Sequence, residues 1–165
     1  MENIRTALEL PEDQLNDAEK DIVANIRKYG WHSTHVFDPE GKDPSFTYST
    51  GFWKNRGAPE IVTFSLSQKT AHGAIGYLFD LAKRGALPVR QRISALRNAD
   101  VFLVPVGKER YREYLLSARW FYRREEFPCL QMIWPDLQNR FSWEERADQD
   151  FLKDQLILAE DVLPN

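Results

Sequence analysis

Cys129-Leu130-Gln131-Met132-Ile133-Trp134-Pro135-Asp136-Leu137-Gln138-Asn139-Arg140-Phe141-Ser142-Trp143-Glu144 is the stretch whose reading decides the fold. Its first six residues make a nearly continuous apolar run, interrupted only by Gln131, and read as a short strand. Pro135 has no N–H to give to a sheet ladder, so the strand is expected to stop there. Asp136 opens a turn, which Asn139 supports. Phe141 and Trp143 then bring the chain back, one on each side of Ser142. The polar groups of Gln131, Asp136, Asn139 and Glu144 are thereby framed by large aromatic side chains. That combination suits a binding pocket, and it also suits a core edge folded over on itself. The residue types tilt slightly toward the core edge.

Upstream, residues 108–122 place Tyr111, Leu115, Ala118 and Tyr122 on one stripe and predict a helix. Residues 101–106 predict a strand, with Pro105 marking an edge or an end. Residues 86–100 are ambiguous, with 89–96 a candidate strand. Ser67 is placed to cap a helix over 68–84, with Ala71, Ile75, Leu78, Phe79 and Ala82 inward and Gly85 as its stop. Before it, 31–37, 45–53 and 61–66 read as strands, the second with Phe46, Tyr48, Thr50 and Phe52 on one face. Gly51 bares the opposite face, which predicts a bulge or a close approach. Short links make the three an antiparallel meander.

Asn16, with Glu19 three residues on, predicts a capping box. It opens a helix over 17–29 whose stripe is Ile22, Val23, Ile26 and Tyr29, and Gly30 stops it. Downstream, 144–150 is charged, and 151–158 is expected to lie back on the domain through Leu152, Leu156 and Leu158. The predicted order is α-β-β-β-α-β-β-α-β. This is an α+β fold, a mainly antiparallel sheet with about three helices packed on it. Residues 1–15 read as an N-terminal extension, 16–158 as one domain and 159–165 as a C-terminal tail.

A chain of 165 residues is long enough for one domain with a real core. Net charge is −3 with both signs interspersed, unlike the basic footprint of a nucleic-acid binder. The cluster Arg119, Arg123 and Arg124 is a local exception that reads as a solvated face. Cys129 is the only cysteine, so no intramolecular disulfide forms. With no signal-peptide pattern at the N-terminus, a reducing cytoplasm is the expected compartment. No stretch approaches the ~20 apolar residues of a membrane span.

Phosphate-binding glycine loops, the H-E-x-x-H and C-x-x-C motifs and the G-x-S-x-G elbow are all absent. His32 and His35 lie three apart, so on a strand they face opposite ways. A metal site joining a histidine to Asp136 or Glu144 is conceivable, but neither a metal nor a cofactor is expected. Asp136 and Glu144 form the acid/base pair to suspect, because desolvation beside Trp134 and Trp143 would raise a carboxylate pKa. The plainer alternative has Asp136 capping its own turn and Glu144 in solvent. Gln131, inside an apolar strand, either braces a neighbouring loop or points at a ligand; unpaired, its amide would cost about 1–3 kcal/mol. The candidate ligand-binding set is Tyr48, Thr50, Gly51, Gln131, Trp134, Asp136, Trp143 and Glu144. Glu60, after Pro59, reads as an exposed charge or as a partner of Arg56 or Arg140.

Four pieces of the sequence carry a resemblance. They are Tyr29-Gly30-Trp31, then Phe46-Thr47-Tyr48-Ser49-Thr50-Gly51-Phe52, then Pro59-Glu60-Ile61-Val62, and then residues 130–136 followed by Phe141-Ser142-Trp143-Glu144. In this order and spacing they resemble the bacterial domain-of-unknown-function family 4262, over about residues 22–158. Two departures stand out: Ser49-Thr50 where the family often has Thr and a hydrophobic residue, and Ser142 where it often has Pro. Neither touches charge. The family has no established activity, so the resemblance bears on fold and domain extent, and little on chemistry.

Two functions of different class remain. One is a non-catalytic interaction protein, antitoxin- or immunity-like in one version, since Trp, Tyr and Arg dominate interface hot spots. The other is a domain for a small nucleotide- or flavin-type molecule, or a small enzyme using Asp136 and Glu144. For this second reading, the run from Phe46 to Gly51 followed by Pro59 to Val62 is similar to flavin-binding split barrels, at the level of fold analogy. The expected partner is another protein or a small molecule, with neither nucleic acid nor membrane, and a homodimer is compatible with either reading.

Overall fold

A computed structural model describes residues 5–159 and 163–164. Six strands, β1 (His32–Val36), β2 (Phe46–Thr50), β3 (Glu60–Phe64), β4 (Arg92–Leu96), β5 (Ala99–Pro105) and β6 (Cys129–Ile133), form one sheet in the order β1-β2-β3-β6-β5-β4. β3 and β6 run parallel, and every other neighbouring pair is antiparallel. The α+β class and the mostly antiparallel sheet are as expected. The sheet is mixed, however, and it stays open, with β1 and β4 as its two edges, so no barrel closes.

Six α-helices among the described residues replace the expected three: α1 (Asp17–Tyr29), α2 (Phe52–Arg56), α3 (Gln68–Ala82), α4 (Tyr111–Tyr114), α5 (Leu116–Tyr122) and α6 (Gln149–Leu152). α2, α4 and α6 have about one turn each, too little to show a helical period in sequence. The helix expected over 108–122 breaks at Leu115, whose backbone leaves the helical region at φ −112° and ψ 43°. The strand expected over 45–53 ends at Thr50, because Gly51 turns to φ +118° and delivers Phe52 and Trp53 to α2.

Local signals placed the longer helices well. Asn16 and Glu19 form the reciprocal capping box of α1, and Gly30 ends it in a left-handed conformation. Ser67 caps α3 by accepting from the Thr70 N–H. The inward stripe of α3 is Ala71, Ala74, Ile75, Leu78, Phe79 and Ala82.

The two faces of the sheet carry separate cores. On one, Ile22 and Ile26 of α1 and Ala118 and Phe121 of α5 pack on Tyr48, Val62 and Phe64. On the other, Ile75, Leu78 and Phe79 of α3 pack on Trp31, Ile61, Leu103 and Met132. Phe141 closes the first face farther along, over Phe102, Val104 and Ile133. Ala7 is fully buried in the α1–α5 core, with Leu8 and Leu10 against it. Of the C-terminal segment, Leu152 and Leu158 are buried on the domain and Leu156 stays exposed. The tail expected over 159–165 lies mostly outside the described residues.

Candidate functional site

Glu60 heads β3, where all five residues are buried, and it is wholly shielded from solvent. Among the described residues, no guanidinium pairs with it. Arg56 instead lies over the Phe79 ring at 3.9 Å, and Arg140 pairs with Asp136 at 3.5 Å. The expected exposed charge or arginine pair is therefore replaced by a hydrogen-bonded cage, since a buried carboxyl must find donors wherever the fold supplies them. Oε1 accepts from Ser49 Oγ at 2.8 Å and Phe52 N at 3.2 Å. Oε2 accepts from Gly51 N at 3.2 Å, Trp53 N at 3.0 Å and the Tyr122 hydroxyl. Ser49 Oγ and Tyr122 Oη in turn accept from Ile61 N at 2.9 Å and Lys54 N at 3.2 Å, so both hydroxyls are free to donate to Glu60.

Burial pushes the Glu60 carboxyl up to about 7, against the donors that pull it down. Burial, with the Glu60 charge nearby, likewise raises Tyr122 and Cys129, so the lone thiol stays protonated. The folded protein thus holds the Glu60 proton more tightly than the unfolded chain does. Its contribution to stability is full below about pH 4.5 and is lost as pH rises to about 7, a fall of about 3 kcal/mol. Urea unfolding at about pH 4.5 and about pH 8 tests this. The wild type is expected to lose about 3 kcal/mol more than Glu60→Gln, which cannot titrate; parallel pH profiles would show that Glu60 does not titrate in this range.

The cage fixes the neighbouring turn. α2, held at its start by Glu60, sends Asn55 Nδ2 to the Gly30 carbonyl at 2.7 Å. Gly51 packs so closely that a Cβ there would lie 2.6 Å from Gly30 O and 2.9 Å from Trp31 Cα. The close approach expected at Gly51 is this one, and it sets where β1 begins.

A cleft of about 860 Å³ opens beside that point. Its walls are Asn25 and Tyr29 from α1, Trp31, His32 and Ser33 at the start of β1, and Gln68, Lys69 and His72 from α3. Successive strand residues point to opposite faces. Trp31 stacks on His72 of α3 at 5.0 Å, whereas His32 meets Asn25 of α1, with 2.9 Å between Asn25 Nδ2 and His32 Nδ1. Three consecutive residues that serve opposite faces meet only at an edge, and among the described residues β1 pairs with β2 alone. The cleft therefore follows the free edge of the sheet, between the helices of its two faces.

Burial holds His32 below its ordinary pKa, with Asp21 opposing and His72 acting in the same direction as burial, so the ring is neutral near pH 7. Ser33 Oγ and Thr34 Oγ1 are shielded and have no hydrogen-bond partner among the described residues. Tyr29, expected in the buried stripe of α1, is instead 59% exposed in the wall of this cleft.

The eight residues expected to bind a ligand lie elsewhere. Tyr48 is a core residue whose hydroxyl accepts from Ser117 N at 2.9 Å, and Thr50 is fully buried. Gln131 braces the C-terminal segment, donating to Leu156 O at 2.7 Å and accepting from Leu158 N at 2.8 Å. Trp134 Nε1 donates to Phe64 O at 2.7 Å, and Trp143 stacks on Phe141 at 4.9 Å. Asp136 caps its own turn, accepting from Gln138 N and Arg140 N at 2.9 Å each and from Asp148 N at 2.8 Å. Burial acts to raise its carboxyl, but those three N–H groups and Arg140 outweigh it, so Asp136 is held below the ordinary carboxylate range. The raised pKa expected beside the tryptophans is thus reversed. Glu144 accepts from Phe141 N and pairs with Arg92, each at 2.6 Å. Among the described residues, no three His, Cys, Asp or Glu side chains gather to hold a metal ion, and no helix is long and apolar enough to cross a membrane.

Fold and site together define a three-layer α+β domain with an edge cleft positioned by a buried carboxyl. The chain belongs to the family described as domain of unknown function (DUF4262), whose profile matches residues 25–148. No curated protein and no solved structure matches it.

Proposed function

We propose that this chain is a non-catalytic binding domain that takes an extended, acidic segment of a partner protein along the free edge of β1. The observation that supports this reading is the coincidence of that edge with the cleft between α1 and α3. An edge strand offers unpaired N–H and C=O groups to an incoming strand, and flanking side chains select its sequence. Lys69 is the charged residue of a lining that contains no carboxylate, and the imidazoles of His32 and His72 add polar groups, so an acidic side chain fits beside Lys69. Trp31 and Tyr29 supply apolar surface for a neighbouring aliphatic or aromatic residue. In an antitoxin- or immunity-like version, the bound segment belongs to the toxin.

The test is selection of a displayed library of random peptides against the protein, followed by amide exchange on the complex. Acidic peptides are expected to slow exchange across residues 32–36. Lys69→Glu, at an exposed position, is expected to weaken their binding at least about ten-fold without changing stability. Protection confined to other elements, or unchanged affinity in the variant, would overturn the reading. A second reading, a small planar ligand, draws on the Trp31–His72 stack. A co-purifying mass in native mass spectrometry, with absorbance beyond the tryptophan band, would favour it over the peptide.

A further inference from the structure

Between α5 and the N-terminal segment lie two adjoining clefts, of about 510 and 630 Å³, that share Leu10, Arg123 and Arg124. Arg5, Thr6 and Glu9 line one, and Leu116, Arg119, Trp120 and Glu125 line the other. Within this groove Arg119 is committed to Glu125 at 2.8 Å, and Arg124 has only a loose contact with Glu126 at 3.9 Å. Arg5 and Arg123 make no ion pair among the described residues. Arg5, Arg119, Arg123 and Arg124 face two carboxylates, Glu9 and Glu125, in this lining, so among the described residues guanidinium is in local excess and attracts a counter-charge. Leu116, 60% exposed, and Trp120 give the same groove an apolar wall.

Arg123 adds a second, independent observation. It ends α5 in a left-handed conformation, φ +61°, its N–H bonding to the Arg119 carbonyl at 2.8 Å. Glycine is the residue such a helix end favours, and a side chain there is held at a cost in strain. The chain places a guanidinium at that point, beside Arg124 and facing the groove that Arg5 shares. A planar fork of donors matches phosphate oxygens bidentately, and three forks around one cleft suit a dianion.

We infer that this groove is a binding site for a small phosphate monoester, with Arg5, Arg123 and Arg124 on the phosphate and Trp120 and Leu116 against its apolar or aromatic portion. The site is separate from the β1 edge and does not depend on the function proposed for it. Isothermal titration with phenyl phosphate, inorganic phosphate and a poly-glutamate peptide tests it on the full chain. Phenyl phosphate is expected to bind at least about ten-fold more tightly than inorganic phosphate, because the ring adds contact with Trp120. Arg123→Gly keeps the backbone conformation and relieves its strain, so its melting temperature should hold or rise while phenyl phosphate affinity falls at least about ten-fold. Arg124→Gln should weaken binding as well. Unchanged affinity in a folded Arg123→Gly protein overturns the inference. So does binding of poly-glutamate alone, which would assign the groove to an acidic protein partner.

Discussion

Glu60→Ala is expected to lower the free energy of unfolding by about 3–5 kcal/mol, as measured by denaturant titration near neutral pH. The substitution deletes the common acceptor of five donors. The Ser49 and Tyr122 hydroxyls can turn toward other acceptors. The N–H groups of Gly51, Phe52 and Trp53 cannot, because the turn into α2 fixes them, the first two buried and the third part-buried. Each buried donor left unpaired costs about 1–3 kcal/mol, and the missing side chain adds a cavity. Against a typical total of 5–15 kcal/mol this leaves a marginal fold. The loss should also reach the edge cleft, since α2 would no longer hold Asn55 against the Gly30 carbonyl. A loss below about 1 kcal/mol would mean that water enters and satisfies the donors, and that the cage does not anchor the turn.

Gly51→Ala is expected to be nearly as damaging, by about 3 kcal/mol or more, through backbone crowding in place of lost hydrogen bonds. A Cβ at this position would lie 2.6 Å from the Gly30 carbonyl oxygen and 2.9 Å from Trp31 Cα, and both are main-chain atoms. No side chain can rotate to make room. The φ of +118° is itself one that residues with a Cβ rarely adopt. Relief would require Gly30 and Trp31 to move away from the sheet, and Trp31 is a wall of the edge cleft. Gly41→Ala serves as a control: φ is also positive there, but a Cβ meets nothing within 4 Å. Its cost should be confined to backbone strain, roughly 1 kcal/mol. Equal losses in the two variants would show that the contact with Gly30 and Trp31 carries no energy.

Features set within one or two turns of chain were legible in the sequence. Asn16 with Glu19, Gly30 after Tyr29, and Ser67 before the stripe of α3 each act on neighbours a few residues away. The apolar run from Cys129 to Ile133 became a central strand for the same reason, and the α+β class followed from the alternation of periods. Gln131 and Asp136 went to the plainer of the two uses open to them, bracing a segment and capping a turn. Short helices escaped detection, because one turn of α2 or α6 repeats nothing.

Only the tertiary structure decided the role of Glu60 and the place of the cleft. Residue type at the head of a strand is compatible with a solvated carboxylate. What buries Glu60 is the arrival of Tyr122 from 62 positions away and the fold-back of Gly51 to Trp53 over it. The cleft depends likewise on β6 inserting beside β3 in parallel, which leaves β1 at the margin with α1 and α3 on either side. Hydrophobic period tells a strand which face to bury; it carries no information about which neighbour it lacks. That neighbour is set by contacts between residues far apart in the chain, and the open edge is fixed only when the whole sheet has formed.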